Sequence, residues 1–496
     1  MAQLATYGTA DIVLTGSPQI TYFKLVYRRH TNFAMESLEN AFSGPVDFDR
    51  QATCQISRNG DLIYKMWLQI TLPDLCSFDV TPAPTEGNTV DATTKLTFNT
   101  STRNYAKANG TVVAYYNPSN GKYYTESGFA NEIVTWPYML ASDAVYNNST
   151  TWTVPAQRVR WCNGVGYALL KELEIEIGGN KIDKHYSDWW DIYSELTEKE
   201  EKRQGLWDMV GKYDVDTYNS TYSREQSRQR TYYVPLTFCF QRTPGLAIPL
   251  IALQYHNINV NVWFRNYLDV IKTNLLYASE ATVISSLTSK TGGRIPSFVD
   301  CKLYVDFLYL DAEERRRFSS IPHEYLVETL QFLGDQPIDT ATTNQKIQLT
   351  FSHPVKEIIW TYTPLENYNV NTYSGNKLFE YSMTDPQYAA EDPVDSVKLL
   401  INGQDRFTTR PGAYFRLVQP YQHHTRVPSK KIYCYSFALN PEDAQPSGSI
   451  NYSRIDSSQL QLFFNSHITQ GRIRVYATSY NVLRVASGQA GLAFSS

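Results

Sequence analysis

Residues 432–464 read IYCYSFALNPEDAQPSGSINYSRIDSSQLQLFF, and their pattern indicates the fold class. It consists of an apolar strand, a turn at residues 446–448, and a second strand in which apolar and polar residues alternate. In the second strand Leu460, Leu462 and Phe464 share one face, because side chains of a β-strand point to opposite faces in turn. The Pro-Ser-Gly turn separates the two strands.

A second copy of this pattern lies at residues 232–264, YYVPLTFCFQRTPGLAIPLIALQYHNINVNVWF. Each copy is preceded by an apolar strand with a Gly-containing turn, EIEIGGNKID at 174–183 and KLLINGQDRF at 398–407. Each copy is also followed by an aromatic-rich strand, CKLYVDFLYL at 301–310 and RIRVYATSYNVL at 472–483. Three similar units in the same order predict a tandem duplication of one β-domain.

The composition agrees with two globular β-domains. The chain has 496 residues, of which 42% are hydrophobic, 14% aromatic and 19% charged. β-Sandwich domains often reach roughly 200–250 residues, so two domains account for the length. The net charge of −4 argues against a protein that coats DNA, since such a protein needs a strongly cationic face. No sequence-specific contact with nucleic acid is expected.

The N-terminus lacks the basic segment of a secretory signal, because its first cation is Lys24. No apolar run reaches the ~18 residues of a membrane span. We therefore expect synthesis and folding in a reducing cytosol. The six cysteines form no C-x-x-C pair and are predicted to be free structural thiols.

Local signals predict several elements between and within the repeats. Asn59-Gly60 predicts a type I′ hairpin turn within residues 51–72. Residues 187–203 form the best helical pattern, with an apolar stripe followed by a charged run. Residues 311–321 predict a short helix that Asp311 caps and Pro322 ends. Residues 73–160 and 363–394 are rich in turn-forming residues and are predicted to lie on the outer surface, away from both cores.

No complete catalytic or metal-binding motif is present. His323-Glu324 begins an H-E-x-x-H pattern, but the last position is Val327. Glu172, Glu174 and Glu176 alternate along a strand, and we interpret them as its solvent-facing side rather than as a glycosidase pair. His423-His424, if on a strand, would point to opposite faces and would not share a metal. We expect no catalytic residues, no cofactor and no metal.

Two basic clusters remain. Lys24, Arg28, Arg29 and His30 form the first. Contact with nucleic acid or an anionic membrane surface, and ion pairing at a domain junction or subunit interface, are both open for it. Residues 315–317 are three consecutive arginines next to two glutamates, which favours ion pairing at a domain junction or a subunit interface.

Long segments of the chain resemble the major capsid proteins of nucleocytoplasmic large DNA viruses. The matching segments are DIVLTGSPQITYFKLVYRRHTNF (11–33), QISRNGDLI (55–63), LEIEIGGNKIDKHY (173–186), YVPLTFCFQRTPGLAIPLIALQYH (233–256), LDAEERRRFSSIPHEYLVETLQF (310–332), LINGQDRF (400–407), YSFALNPEDAQPSGSINYSRID (435–456) and YNVLRVASGQAGLAF (480–494). Residues 73–160 and 363–394 match poorly. Gln489 stands where the family commonly has Met.

The resemblance implies an all-β double jelly roll, with two tandem eight-stranded antiparallel sandwiches, short helices and long loop insertions. It implies a homotrimeric, pseudo-hexameric capsomer that tiles an icosahedral shell, with no catalysis. Its partners would be further copies of itself, neighbouring capsomers, minor capsid proteins and an internal membrane surface. Lys24, Arg28, Arg29 and His30 are the candidate inner-face contacts. The protein would be made in the host cytoplasm and reside in the virion capsid.

The expected domains are an N-terminal arm at 1–23, a first jelly roll at 24–310 with an insertion at about 73–160, a helical linker at 311–321, and a second jelly roll at 322–496 with a loop at about 363–394. The alternative is a carbohydrate-binding or carbohydrate-active double β-sandwich, because jelly rolls also carry such sites. A cleft with converging carboxylates and aromatic residues would favour that alternative.

Overall fold

The computed structural model describes residues 8–75, 159–214, 227–273, 296–340, 342–369, 376–385 and 387–494, and four strands between residues 96 and 124. The strands are β1 (Phe33–Asn40), β2 (Gln51–Gln55), β3 (Leu62–Leu72), β4 (Leu96–Asn99), β5 (Asn104–Lys107), β6 (Val112–Asn117), β7 (Lys122–Tyr124), β8 (Val159–Trp161), β9 (Leu170–Ile177), β10 (Asn180–Tyr186), β11 (Arg230–Pro235), β12 (Ile248–Pro249), β13 (Ile258–Phe264), β14 (Ile271–Thr273), β15 (Asp300–Leu310), β16 (His323–Ile338), β17 (Asn344–Gln348), β18 (Pro354–Pro364), β19 (Val394–Ile401), β20 (Gln404–Asp405), β21 (Arg410–Pro411), β22 (Ile432–Ser436), β23 (Ile450–Asn451), β24 (Ser458–Phe464), β25 (Gly471–Ala486) and β26 (Gln489–Leu492).

The helices are short. The α-helices are Thr9–Thr15, Val165–Leu169, Ser187–Thr197, Glu200–Val210, Cys239–Arg242, Ala312–Ser320, Leu365–Tyr368 and Gln419–His423. The last is preceded by the π-helical segment Tyr414–Val418, and single 3₁₀ turns lie at Pro244–Leu246, Leu250–Ala252, Tyr267–Asp269 and Tyr452–Arg454.

The strands form two sandwiches, each of two sheets. In the first sandwich one sheet has the order β1-β15-β3-β11, and the other has the order β10-β9-β13-β2. In the second sandwich the orders are β16-β25-β18-β22 and β17-β24-β19-β20. The short strands β12 and β23 pair with β3 and β18, respectively.

The two sandwiches share one connectivity. When the eight main strands of each are numbered along the chain, one sheet has the order 1-8-3-6 and the other joins strands 2, 7, 4 and 5. This is the jelly-roll arrangement. Every main strand of the first sandwich therefore has an equivalent in the second, and the predicted duplication and the two eight-stranded antiparallel sandwiches are confirmed.

The alternating patterns place the cores as predicted. In β24 the apolar residues Leu460 and Leu462 are buried, whereas Gln459 and Gln461 are half-buried on the other face. The two hairpins predicted beside the repeats also form. Gly178 and Gly179 join β9 to β10 with φ of 59° and 81°, which glycine adopts without steric cost.

The hairpin predicted at Asn59-Gly60 does not form. Strand β2 pairs with β13 in one sheet, whereas β3 pairs with β11 and β15 in the other, so residues 56–61 cross between sheets. Gly60 does not have a positive φ. A Cβ there would lie 2.6 Å from the Cβ of Phe307, so close packing rather than turn geometry requires this glycine.

The helix predicted at residues 187–203 is two helices, Ser187–Thr197 and Glu200–Val210. The break lies at Glu198 and Lys199, which have extended backbone angles. Arg426 of the second sandwich donates hydrogen bonds to carbonyl groups at the end of the first helix. Its backbone N–H donates to the Leu196 oxygen at 3.0 Å, and its Nε donates to the Glu195 oxygen at 3.0 Å. A tertiary contact thus ends the helix where the local pattern would continue it.

The linker helix Ala312–Ser320 forms as predicted. The Asp311 carboxylate accepts hydrogen bonds from the backbone N–H groups of Glu313 at 3.1 Å and Glu314 at 2.9 Å. Arg315 pairs with Asp61 of the first sandwich at 3.0 Å, which agrees with the interpretation of this cluster as ion-paired at a junction.

Replacing Asp311 with alanine is expected to lower the free energy of unfolding by about 0.5–2 kcal/mol, because two helix N–H groups lose their acceptor. Ser319→Ala on the same helix is the matched control, since it removes a hydroxyl that does not cap the N-terminus. Chemical denaturation of both variants measures the difference, and equal effects would contradict the capping role.

The prediction that residues 363–394 lie away from both cores is wrong for the described part. Leu378, Phe379 and Tyr381 are buried and belong to the core cluster of the first sandwich. Asn376 anchors the segment by donating to the Leu268 carbonyl at 2.7 Å. The turn-forming composition correctly predicted that the segment is irregular. It did not predict the position of the segment, because three large side chains pack it against the core.

The insertion at 73–160 lies largely outside the described residues. Within it, the strands β4 to β7 pair with one another in chain order as a small antiparallel sheet. The position of this insertion on the outer surface remains a prediction.

One hydrophobic cluster forms the core of the first sandwich and extends into the second through Val327, Ile359 and Tyr476. A second cluster fills the second sandwich, around the buried Trp360 and Tyr433. The five described cysteines form no disulfide, and all except the half-buried Cys301 are buried. The sandwiches are thus fused by a continuous apolar contact.

Candidate functional site

The predicted basic cluster lies on an extended, exposed segment ahead of β1. Lys24, Arg28, Arg29 and His30 are all exposed and lie outside regular secondary structure. The His30 ring contacts Phe33 edge-on, with centroids 6.0 Å apart. Within the described ranges, the three cations of the cluster form no salt bridge with the rest of the chain. The four side chains of the cluster are thus exposed to solvent, and its position on the inner side of the assembly remains a prediction.

The same segment exposes large apolar side chains. Phe23 is 99% exposed and Tyr22 90%, and Leu25, Val26 and Tyr27 are also exposed. The helix Thr9–Thr15 has no buried residue. An arm that is both apolar and uncovered is typical of a segment that binds a partner.

The carboxylates of β9 form a strand flank, as predicted. Glu172, Glu174 and Glu176 are half-buried on the face opposite the core. Glu172 pairs with Lys184 of the neighbouring strand. Burial, and a hydrogen bond with Glu176, raise the pKa of Glu174. No group of three potential metal ligands exists among the residues that the structure describes.

His423 and His424 do not lie on a strand, contrary to the premise of the prediction. His423 ends a helix, and His424 follows it in the interior. The His424 ring lies 2.9 Å from the Glu442 carboxylate and 3.3 Å from that of Glu357. Although burial alone lowers its pKa, hydrogen bonds to Cys434 and both carboxylates raise the pKa of His424 well above its ordinary value. The two histidines thus have separate surroundings.

The contact between the two sandwiches is rich in buried charge, which sequence reasoning missed. Asp188, at the start of the helix Ser187–Thr197, lies 2.7 Å from Arg474 of β25. Asp191 lies 2.7 Å from Lys430, and Glu195 lies 2.8 Å from Arg426. All three carboxylates are buried, and all three face cations of the second sandwich.

Further contacts extend the junction on both sides of this helix. Arg242 pairs with Glu328 of β16 at 2.6 Å, and the Asp183 carboxylate of β10 accepts the backbone N–H of Leu330 at 3.0 Å. The Trp189 ring packs on the Tyr476 ring with centroids 5.7 Å apart. The sandwiches are therefore joined by hydrogen bonds and ion pairs around an aromatic centre.

The ion pairs favour the charged forms of Asp188 and Glu195. Burial alone would raise the pKa of Asp188, but Arg474 and Arg472 outweigh burial and lower it. Burial would likewise raise the pKa of Glu195, but the charges of Lys212 and Lys430 outweigh burial and lower it well below its ordinary value. Asp188 and Glu195 therefore bind their protons more weakly in the folded protein than in the unfolded chain.

Acidification is expected to destabilise the junction. Asp188 and Glu195 have folded pKa values below their ordinary 3.8 and 4.5, so their stabilisation is complete above those values and is lost as the pH falls through the folded pKa. His424 has the opposite effect, because its pKa is raised in the folded protein. Its charged ring stabilises the fold fully below pH 6.5, and this stabilisation is lost as the pH rises through the folded pKa. Urea unfolding should show lower stability at pH ~3 than at pH ~6. Equal or greater stability at the lower pH would contradict these assignments.

A cavity of about 210 Å³ lies beside the junction. Its lining includes Trp207, Phe379, Lys212, Lys430 and Glu195. Lys212 already donates to Glu195 at 2.6 Å, and Lys430 is paired with a buried aspartate. The cavity is smaller than typical ligand pockets of roughly 300–1,000 Å³. Lys212, Lys430 and Glu195 already form ion pairs within the protein.

Comparison with known proteins decides the family. The family model described as large eukaryotic DNA virus major capsid protein matches residues 314–491. The model described as major capsid protein N-terminus matches residues 21–112 and 138–311. The chain belongs to the major capsid proteins of large eukaryotic DNA viruses. The suspected resemblance is confirmed, and both sandwiches fall within the matched ranges.

Relatives match over the whole chain. The major capsid protein of Pyramimonas orientalis virus is 37% identical over 523 residues, covering 100% of this chain and 99% of the relative. That of Paramecium bursaria Chlorella virus 1 is 33% identical over 535 residues, with the same coverage. The protein is a structural component of a virion capsid, and these matches give the carbohydrate-binding alternative no support.

Solved structures agree. A quasi-atomic model of the PBCV-1 virus capsid matches with a TM-score of 0.66 and 30% identity, covering 96% of this chain and 100% of that one. The Faustovirus major capsid protein also gives a TM-score of 0.66, at 15% identity, and covers 97% of this chain and 95% of that one. Even at that low identity the double jelly roll is shared. Within the described residues, no helix is both long and apolar enough to cross a membrane.

Proposed function

We propose that this capsid protein assembles as a homotrimer with a pseudo-sixfold outline and that such trimers tile an icosahedral shell. The observation that carries the proposal is the repeated strand order, 1-8-3-6 in one sheet of each sandwich. Two equivalent sandwiches in one chain, repeated by a threefold axis, give six similar wedges. Six wedges pack into a hexagonal array more evenly than three.

The proposed domains are those expected from the sequence: an arm at 1–23, jelly rolls at 24–310 and 322–496, and a linker at 311–321. The helix Ala312–Ser320 and its paired Arg315 support the linker. The role is structural, without catalysis, metal or cofactor. The extensive pairing of the junction charges with one another supports this interpretation.

The arm and its basic cluster are proposed to lie on the inner side of the shell. Lys24, Arg28, Arg29 and His30 would face minor capsid proteins or an anionic membrane surface, and the exposed Tyr22 and Phe23 would supply apolar contacts. Synthesis in the host cytoplasm fits the five described cysteines, which form no disulfide bond. Protease or antibody access to residues 8–30 on intact particles tests the placement, since an inner arm is protected until the shell is opened.

Negative-stain imaging of the purified protein tests the proposed capsomer. Hexagonal particles with a threefold modulation are the expected result, because the two sandwiches are similar but not identical. Single wedges, or particles with twofold symmetry, would contradict it. Neighbouring capsomers should meet through smaller, more polar contacts than the ~2,000 Å² or more that an obligate subunit interface buries.

A further inference from the structure

A surface loop of the second sandwich carries a carboxylate that points inward. Residues 437–449, which we call the strap, follow β22, and most of them are exposed or half-buried. The Glu442 carboxylate accepts hydrogen bonds from the backbone N–H of Thr425 at 3.0 Å and from the Thr425 hydroxyl. The His424 ring lies 2.9 Å from the same carboxylate. Glu442 thus joins the strap to the segment that follows the helix Gln419–His423.

The strap is closed on itself by its own hydrogen bonds. The backbone N–H of Leu439 donates to the Ser447 oxygen at 3.2 Å, and that of Asn440 donates to the Ser447 hydroxyl at 2.9 Å. Gly448 follows with a φ of 136°, which a residue with a side chain rarely adopts. The tip of the strap is therefore built to move as one piece.

Two other contacts hold the same part of the strap. The Nζ of Lys356 donates to the Pro441 carbonyl, and the Nδ1 of His423 lies 2.8 Å from the Leu439 oxygen. Both contacts end on carbonyl groups, which carry no net charge. Glu442 instead meets a ring that is charged only when it is protonated, so the strength of this contact depends on the pH.

A cluster of charges lies behind Glu442. Three basic and three acidic side chains of the described residues make it up: Arg242, Lys356, His424, Glu328, Glu357 and Glu442. Glu328 of β16 pairs with Lys356 and with Arg242, each at 2.6 Å. Glu357 of β18 lies 3.3 Å from the His424 ring. The titratable groups without charge that face the cluster are Cys434, Tyr193 and Tyr480.

Loss of the ring proton unbalances this cluster. While the ring is protonated, three carboxylates meet three cations, but without that proton the same carboxylates share two cations. Glu357 is buried in a strand, where the Thr478 hydroxyl donates to it at 2.9 Å. Glu442 lies at the edge of the cluster on a surface loop, and a buried charge without a partner is costly. Moving Glu442 into water restores the balance without disturbing a strand.

The titration of the cluster agrees with this geometry. Burial would lower the pKa of His424, but hydrogen bonds to Cys434, Glu357 and Glu442 raise it well above its ordinary 6.5. Burial would raise the pKa of Glu357, but the hydrogen bond with His424 and the charges of His424 and Lys356 lower it to about 2. The ring and Glu357 are therefore both charged near neutral pH.

We propose that the protonated His424 ring is a latch that holds the strap against the second sandwich and releases it when the ring loses its proton. The ring binds its proton more tightly while the strap is closed. The closed form is therefore fully favoured below the pKa of the open form, and this advantage is lost as the pH rises through the pKa of the closed form. Alkaline solution opens the strap. The latch operates within one chain and does not depend on the proposed trimer.

The strap also covers part of the junction between the sandwiches. Glu442 and Ala444 line a small cavity of about 20 Å³ together with Cys239, beside the ion pair between Arg242 and Glu328. Opening the strap would let water reach this pair, and charges interact more weakly in water than in the interior. The latch would thus link a proton on the second sandwich to the strength of the internal junction.

Hydrogen exchange tests the latch. The purified full-length protein would be measured by mass spectrometry from pH ~6 to ~10, with each rate divided by the intrinsic rate at that pH. Peptides that cover the strap should lose protection as the pH rises. The expected slope is that of one proton, up to about tenfold for each pH unit between the pKa values of His424 in the open and closed forms. Peptides that cover β24 should show no such slope and are the internal control.

Three variants separate the latch from other effects of pH. His424→Gln removes the charge of the ring, so the strap should be open at every pH. Glu442→Gln removes the charge of the strap and should also abolish the slope. Because the Glu442 side chain is 20% exposed, this second variant keeps the test valid if His424→Gln does not fold. His423→Gln is the matched control, since its ring meets a carbonyl group and the slope should persist.

Four outcomes would overturn the proposal. The first is a wild-type strap whose protection does not change with pH. The second is a slope that survives Glu442→Gln, and the third is a slope that disappears in His423→Gln. The fourth is a simultaneous loss of protection in the strap and β24, which would mean global unfolding instead of a local latch.

Discussion

Replacing Glu195 with glutamine is expected to lower the free energy of unfolding by about 3–5 kcal/mol, because breaking a buried ion pair leaves its cations uncompensated. Glu195 is buried, and its carboxylate accepts from Lys212 at 2.6 Å and Arg426 at 2.8 Å. Lys212 is itself buried and keeps the pair with Asp191, at 2.9 Å, when Glu195 loses its charge. Glutamine preserves the shape of the side chain, so the effect reports the charge.

Glu200→Gln is the matched control. Glu200 also contacts Arg426, at 3.3 Å, but its side chain is exposed and its charge is screened by water. Chemical denaturation of the two variants should show a large loss for Glu195→Gln and little change for Glu200→Gln. If the two variants were equally stable, the buried charges would not be what holds the sandwiches together.

Replacing Trp189 with alanine is expected to cost about 3–5 kcal/mol, the usual range for removing a large buried aromatic side chain. Trp189 is 1% exposed and packs between the first sandwich and Tyr476 of the second. The cavity would open at the contact between the sandwiches, so we expect separate unfolding of the two halves to become visible in a calorimetric scan.

Trp263→Ala is the control for this variant. Trp263 lies on the outer face of β13, is half-buried, and has Lys184 over its ring at 5.4 Å. It should cost about 1 kcal/mol, as is usual for a site away from the core, and leave unfolding in a single step. An equal loss for both variants, with one transition each, would place the stabilising contact elsewhere.

The strand patterns predicted the fold because each depends on local alternation. Leu460 and Leu462 pack inward because period two is a property of the strand itself. The glycines at 178–179 were informative for the same reason, since a tight hairpin requires positive φ at those residues. Duplication followed from the order of these local units and needed no knowledge of their contacts.

The failures came from distant contacts. Asn59-Gly60 has the composition of a hairpin turn. A glycine is required at position 60, however, because Phe307, far along the chain, packs too closely to leave room for a side chain. The helix predicted at 187–203 is interrupted because Arg426 donates hydrogen bonds to carbonyl groups at the end of the helix Ser187–Thr197. A single sequence shows acidic residues on that helix and arginines near the C-terminus, but gives no signal that they meet. The one available hint was the apolar stripe containing Trp189, which required a partner surface.

In the proposed assembly, one chain supplies two equivalent wedges of a trimeric capsomer. Mass measurement of the purified wild-type protein in dilute solution tests it most directly. We expect a species of three times the 56.8 kDa of one chain that persists at micromolar concentration. A stable species of 56.8 kDa at that concentration, with both jelly rolls folded, would contradict it.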